Sequence, residues 1–357
     1  MTGNRPQKPR KPIPRTSSPS LNPVEKPYAF VSFPRKSPLL QKPAGHDKYK
    51  SDRIHGSLFL TLTVRTPLHV STGVVAMVSD IDSRVPLIKT MVQGTDQKLI
   101  LQGSSLKGCI RAVYEAITQS CICKTKAKSE ALPKGYRECR IDRKKQKTKV
   151  CDACQIFGAL NWQGLVEFSD AKCENVDYET GFMPSLYRPR PDLGAAYFDQ
   201  RGKVAGRKFY YHTNRAIDKG QNRGIPVQQA AAEYTFTTQI QFKNLTSAEL
   251  GTLLIVLGQD SNYPIALKVG GGKPIGMGTM TATVTAAKVL QNEEDLRDRY
   301  SSYNSSELII TNGAELQQFV QKNIQAAHSS LVQATQLQQI AEILKYPTNR
   351  EPPTGMY

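Results

Sequence analysis

The chain has 357 residues, 39% hydrophobic and 22% charged, with a formal net charge of +18. That is enough for one large or two small globular domains, and no apolar run approaches the length of a membrane span. The charge is uneven: residues 1–50 hold eleven Lys/Arg against two acids and residues 121–150 eleven against three, so +9 and +8 of the +18 come from two stretches. Two basic stretches on a nearly neutral body point away from an anionic-protein profile and toward an extended polyanion, a nucleic acid, as partner.

The N-terminus, "MTGNRPQKPRKPIPRTSSPSLNP", is basic and proline-rich but has no apolar core segment. It does not read as a secretory signal, so a cytoplasmic protein is expected. Ten of the 22 prolines fall in 1–50, which reads as an extended arm. The globular part begins at "GSLFLTLTVRT" (56–66), where Leu58, Leu60, Leu62 and Val64 alternate as in a strand. Residues 67–99 read as loop-rich, and "KLILQ" (98–102) as a short strand. In 103–120, Gly103, Ser104 and Ser105 supply a turn and N-cap, and Leu106, Ile110, Val113 and Ile117 follow at helical spacing. "LVEFSDAKC" (165–173) and "AEYTFTTQIQFKNL" (232–245) are predicted strands. "TSAELGTLLIVLGQ" (246–259) is a predicted helix opened by a Thr246/Glu249 capping box, and "TMTATVTAAKVL" (279–290) is a last strand. Strand, helix, strand, strand, helix, strand is the ferredoxin-like (RRM-like) βαββαβ order of an α+β domain.

This places the domain at 51–290, with insertions at 121–154 and 185–230, and a linker with a C-terminal helix at 291–357. In the helix predicted over 312–344, Leu316, Phe319, Val320 and Ile324 form a narrow apolar stripe that suits docking, onto its own domain or onto a neighbour.

Five of the seven cysteines, Cys121, Cys123, Cys139, Cys151 and Cys154, fall within the first basic insertion. Clustering of this kind in a cytoplasmic chain argues for a metal. Cys151-x-x-Cys154 is one half of a structural zinc site, and no histidine lies near, so an all-cysteine site is expected. Five candidates serve four places, and Cys121, at the end of the helix, is expected to be the spare. Cys109 and Cys173 read as core thiols.

Residues 187–223 interleave nine Lys/Arg with six aromatics. Cations for phosphates and rings for bases suit single-stranded RNA, with Arg207, Lys208, Tyr211 and Arg215 as candidates. "GGGKPIGMG" (270–278) lacks the ending of a nucleotide P-loop and follows a helix rather than opening one. Close approach of Gly271, Gly272 and Lys273 to RNA, or a tight turn, fits it better. Asp80 and Asp82 in "MVSDIDSRVPLIK" read most simply as turn residues, although paired acids beside an RNA groove could hold a divalent metal. His69 reads as structural more readily than catalytic.

Together, "TPLHVSTG", "DIDSRVPLIK", "LQGSSLKGCIRAVYEAI", "CDACQIFGA" and "GGGKPIGMG" resemble the RAMP superfamily, specifically the backbone subunits of type III CRISPR effector complexes. The resemblance covers most of 56–290. It implies a ferredoxin-like palm, a thumb hairpin inserted at 185–230 and a zinc-binding insertion. It also implies subunits stacked along a guide RNA (crRNA), with a loop Asp promoting Mg²⁺-dependent cleavage of paired target RNA. Ile81-Asp82-Ser83 matches that loop, so Asp82 inherits the role. Lys107, Arg111 and the amides near Ser104 and Ser105 would contact crRNA phosphates, with Gly103 and His69 beside them. Implied partners are crRNA, single-stranded target RNA, neighbouring RAMP subunits, the large polymerase-like subunit and small subunits, with no membrane. Two other readings stay open: a catalytically inactive structural subunit, and a crRNA-processing endonuclease using His212 as base.

Overall fold

The computed structural model describes residues 26–77, 86–125, 127–142, 144, 146–185, 197–217, 224–290, 297, 301 and 310–353. The alternation seen at 58–64 does what the period demands. Leu58, Leu60, Leu62 and Val64 are buried on one face of the strand Ile54–Val64. That strand lies antiparallel between Thr235–Leu245 and Thr279–Val289. Ala171–Val176 pairs with the far side of Thr235–Leu245, and Lys98–Leu101 and Val92–Gln93 extend the sheet beyond it. The long strands therefore stand in the spatial order 279–289, 54–64, 235–245, 171–176.

The single strand expected over 165–173 is two, Val166–Phe168 and Ala171–Val176, both paired with Thr235–Leu245. The break has a use. Asp170 Oδ1 accepts the Gly103 N–H at 2.7 Å. That bond also explains a correction at the first helix, Gly103–Ile117. Ser104 and Ser105 lie inside it rather than capping it, and the N-cap is Gln102 with no side-chain bond. An acceptor from the break between two neighbouring strands replaces the local cap. The helix Ser247–Val256 begins as predicted: Thr246 Oγ1 accepts the Glu249 N–H at 3.1 Å, and Glu249 Oε2 accepts the Thr246 N–H at 2.7 Å.

Beyond the linker, the predicted helix is two, Gly313–Ser330 and Ala334–Leu344. Leu316, Val320 and Ile324 are buried, so the stripe docks on its own domain. It lies against Ser247–Val256 so closely that a Cβ on Gly251 would stand 1.9 Å from the Asn323 carbonyl oxygen.

Two stretches read as irregular are ordered. Within 67–99, Val75–Met77 and Leu87–Lys89 pair with each other and join Gly224–Gln229 and Glu179–Pro184 in a second sheet. Residues 26–50, read as part of an extended arm, pack on the body. Tyr28–Val31 pairs antiparallel with Arg207–Tyr210, and Tyr28 and Val31 are buried. Aromatic and β-branched residues there outweigh the surrounding prolines. Among the described residues no helix is long and apolar enough to cross a membrane.

Candidate metal centre and nucleic-acid interface

The first helix ends at Ile117, and three residues carry the chain to Cys121. A short helix, Asp152–Phe157, takes Cys151 as its N-cap and carries Cys154 in its first turn. Cys139 completes the group. The sulfurs of Cys121, Cys139, Cys151 and Cys154 lie within 4.8 Å of one another, and all four residues are buried. Tetrahedral zinc with Zn–S near 2.3 Å needs sulfurs about 3.8 Å apart, so four thiols at this spacing could bind a metal such as zinc. Cys121 is therefore one of the four, and Cys123, half-buried beside Cys154, is the one outside. The expectation that Cys121 is spare is corrected. The chain leaves the helix inward at Cys121, and two residues later it is already turning outward.

The surroundings suit thiolates. The Cys121 N–H points at Cys151 Sγ (3.4 Å) and the Cys151 N–H at Cys139 Sγ (3.3 Å). Arg111 Nη2 donates to Cys154 Sγ at 3.2 Å. Four thiolates around a divalent ion leave a net charge of −2, and Arg111 supplies a counter-charge in direct contact with Cys154. Bonds from Cys121, Cys139 and Cys154 hold the Cys151 thiol well below its ordinary range, while the crowded sulfurs push the Cys121 and Cys154 thiols up.

Arg111 does more than touch sulfur. Its Nε donates to Glu115 Oε1 at 2.7 Å and its Nη1 to the Gly158 carbonyl at 2.9 Å. Arg207 meets the other oxygen of Glu115 at 3.0 Å, and its Nη2 donates to the carbonyls of Ser120 (2.8 Å) and Cys121 (2.9 Å). Burial pushes the Glu115 carboxyl above its usual range while Arg207 and Arg111 pull it back. Two arginines expected to hold RNA phosphate are thus engaged inside the protein, bracing the cysteine cluster from both sides. The signal was present: Arg111 and Glu115 are four apart on one helix, and sequence reasoning paired Arg111 with Lys107 instead.

The other expected RNA contacts fall into two groups. Near the start of the first helix, Gly103, Ser104 and Lys107 border a cleft of about 470 Å³ with His46, Tyr49 and Lys243. Ser104 is exposed and Ser105 half-buried, and Lys107 Nζ donates to the Val166 carbonyl at 3.2 Å. A Cβ on Gly103 would lie 2.2 Å from the Phe168 carbonyl oxygen, so glycine is needed for packing there.

The second group surrounds the glycine loop. His69 is buried, its Nδ1 2.7 Å from the Gln228 carbonyl, and its own carbonyl accepts the Gly271 N–H at 2.8 Å. Gly272 has φ +65°, and a Cβ there would strike Met277. Lys273 starts a single helical turn, Lys273–Ile275. Tyr211 lies under the Arg350 guanidinium at 3.6 Å, and Arg215 pairs with Glu351 at 3.0 Å. Lys208 Nζ sits over Tyr28 at 3.8 Å and donates to the Tyr197 hydroxyl at 2.9 Å. Asp80 and Asp82, and parts of the expected thumb (186–196 and 218–223), lie outside the described residues.

His212 is enclosed. One ring nitrogen is 2.9 Å from Thr279 Oγ1 and the other 3.0 Å from the Ala266 carbonyl. Burial, aided by the nearby Lys268 charge, lowers its pKa to about 3. An imidazole bonded at both nitrogens and sealed from solvent cannot serve as a base for RNA, which removes the observation behind the processing-endonuclease reading. Below pH 6.5 the unfolded chain takes a proton that the folded His212 refuses, so stability falls as pH drops from about 6.5 toward 3. About 2–3 kcal/mol should be lost between pH 7 and 4.5 through this residue. Urea titrations at the two pH values should show a gap that shrinks by that amount in His212→Asn.

No curated protein matches the chain. A family model described as RAMP superfamily matches residues 61–281, which is more than half of the 357. That span includes the first helix, the cysteine cluster, the glycine loop, the strands 171–176 and 235–245 in full and the adjoining ends of 54–64 and 279–289. The chain belongs to the RAMP superfamily, and with it comes a CRISPR-associated RNA-binding role.

Proposed function

We propose that the protein is a crRNA-binding backbone subunit of a type III CRISPR effector complex, built on a ferredoxin-like palm, and that Asp82 promotes metal-dependent cleavage of the paired target RNA. The observation that carries the reading is the meeting of motifs far apart in sequence. Gly271 and Gly278 of the glycine loop donate to the carbonyls of His69 and Pro67, and Cys109 of the first helix reaches the Lys268 carbonyl at 3.3 Å. Cys154 and Gly158 of "CDACQIFGA" meet Arg111 of that same helix. The strand order 279–289, 54–64, 235–245, 171–176 supports the palm, being fourth, first, third and second in a βαββαβ chain.

Within this reading the cleft lined by Ser104, Lys107 and Lys243 takes guide phosphates through the two lysines. Asp82 lies in the connection between Val75–Met77 and Leu87–Lys89, which pair as a hairpin. A carboxylate there would hold a Mg²⁺, which lowers the barrier to attack by the target's 2′-hydroxyl. The zinc folds the basic insertion and takes no part in the chemistry. The remaining partners are target RNA, neighbouring RAMP subunits, the large polymerase-like subunit and small subunits.

Reconstituting the complex with Asp82→Ala tests the assignment. Periodic target cuts should disappear while crRNA content stays at the wild-type level. Cuts that persist would show a structural subunit with an inactive loop.

A further inference from the structure

The C-terminal tail carries positions that neither the family match nor the sequence motifs absorb. After Leu344 it runs back across the sheet edge, where the Ala266 N–H donates to the Leu344 carbonyl and the Tyr346 N–H to the Pro264 carbonyl. It then reaches the expected thumb base. The Asn214 N–H donates to the Arg350 carbonyl at 2.8 Å, and Glu351 takes Asn214 Nδ2 and Arg215 Nε. This places the Arg350 guanidinium over the Tyr211 ring. The result is a recess of about 240 Å³ whose cations are Lys26, Lys273 and Arg350.

Three facts give the recess its character. Among the described residues the only acid lining it is Glu351, whose charge is already met by Arg215, so the field they set up inside is positive. Neither Lys26 nor Lys273 has an acidic partner among the described residues. The wall between the cations is made of prolines, among them Pro27, Pro274 and Pro352, which have no N–H to offer and present rigid apolar faces. Three cations around an aromatic and proline floor suit a phosphodiester with its sugar and base.

We infer that the C-terminal tail completes a phosphate-binding recess for an RNA strand, with Lys26, Lys273 and Arg350 as the phosphate ligands. The inference rests on the RNA-binding reading above and adds a site to which both described ends of the chain, Lys26–Pro27 and Arg350–Pro353, contribute from outside residues 61–281.

The test uses the full chain and a fluorescein-labelled 20-nucleotide oligouridylate, with anisotropy read across a salt series. Arg350→Glu and Lys273→Glu should each weaken binding about 10-fold and reduce the slope of log K against log salt by about one or more. Lys26→Glu, which leaves the tail contacts untouched, should do the same and guards against a displaced tail. Thermal melting confirms that each variant is folded. Wild-type affinity in folded Arg350→Glu and Lys26→Glu overturns the recess. If Lys107→Glu weakens binding in that same series, the RNA-binding reading stands without it. A wild-type chain that binds no RNA overturns both.

Discussion

Cys154→Ala is expected to lose its metal and to unfold the segment between residues 121 and 158. Structural zinc in small sites contributes about 10–16 kcal/mol of apparent binding energy, and that energy is folding energy for the loops it gathers. Beside the sulfurs there is little else to hold the loops: Ile141 and Val150 pack there with Trp162 at the edge, while Ile122, Leu132 and Tyr136 form a separate small cluster and Ile156 and Phe157 belong to the main core. Metal analysis of purified protein should find one zinc per chain in the wild type and none in Cys151→Ala or Cys154→Ala. Cys123→Ala is the discriminating variant, because its sulfur stands outside the four. It should retain full zinc and a wild-type melting temperature. Loss of zinc in Cys123→Ala with retention in Cys121→Ala would reverse the assignment.

Glu115→Gln should cost about 3–5 kcal/mol in urea unfolding, the range for breaking a buried pair by removing one partner. Glu115 lies between the Arg111 and Arg207 side chains, which are 17% and 10% exposed. The amide leaves two guanidinium charges without their counter-charge in a nearly dry site. The loss should carry into the metal centre, since Arg111 also reaches Cys154 Sγ and Arg207 also holds the Cys121 carbonyl. Slower zinc retention against a chelator would show this. A double variant, Glu115→Leu with Arg207→Met, should be less destabilised than Glu115→Gln, because it removes charge from both sides. Equal loss in the two would mean that packing rather than charge sets the effect.

The long strands and both core helices were legible because each repeats its apolar residues at a fixed period, and burial follows period. Leu58 to Val64 and Leu106 to Ile117 are such cases. The capping box at Thr246 was legible because both partners lie within four residues. What escaped was decided at long range. Gln102 caps the first helix without using its side chain because Asp170 arrives from the distant break between 166–168 and 171–176. Residues 26–50 gain order only through pairing with 207–210, far along the chain. At the site, residue type was readable and assignment was not. Cysteines, cations and aromatics in a cluster announced metal and RNA, yet which cysteine faces inward and which arginine is internal depended on backbone direction. The glycine loop was readable in part, since a run of glycines signals close backbone approach, but its neighbour, the His69 carbonyl, was not.

The close contact between Gly251 and Asn323 has a bearing on how the chain is made. Helix Ser247–Val256 is apolar on nearly every side, with Leu250, Leu253, Leu254, Ile255 and Val256 all buried in the finished protein. Part of its cover, Leu316 through Ala327, leaves the ribosome some seventy residues later. At about 5–20 residues per second the helix waits roughly 4–14 s with that face open. During synthesis the nascent chain therefore presents its most adhesive surface for seconds before its own last segment arrives. A message truncated in the 291–312 linker would leave that surface open permanently and yield an aggregation-prone product rather than a smaller working subunit.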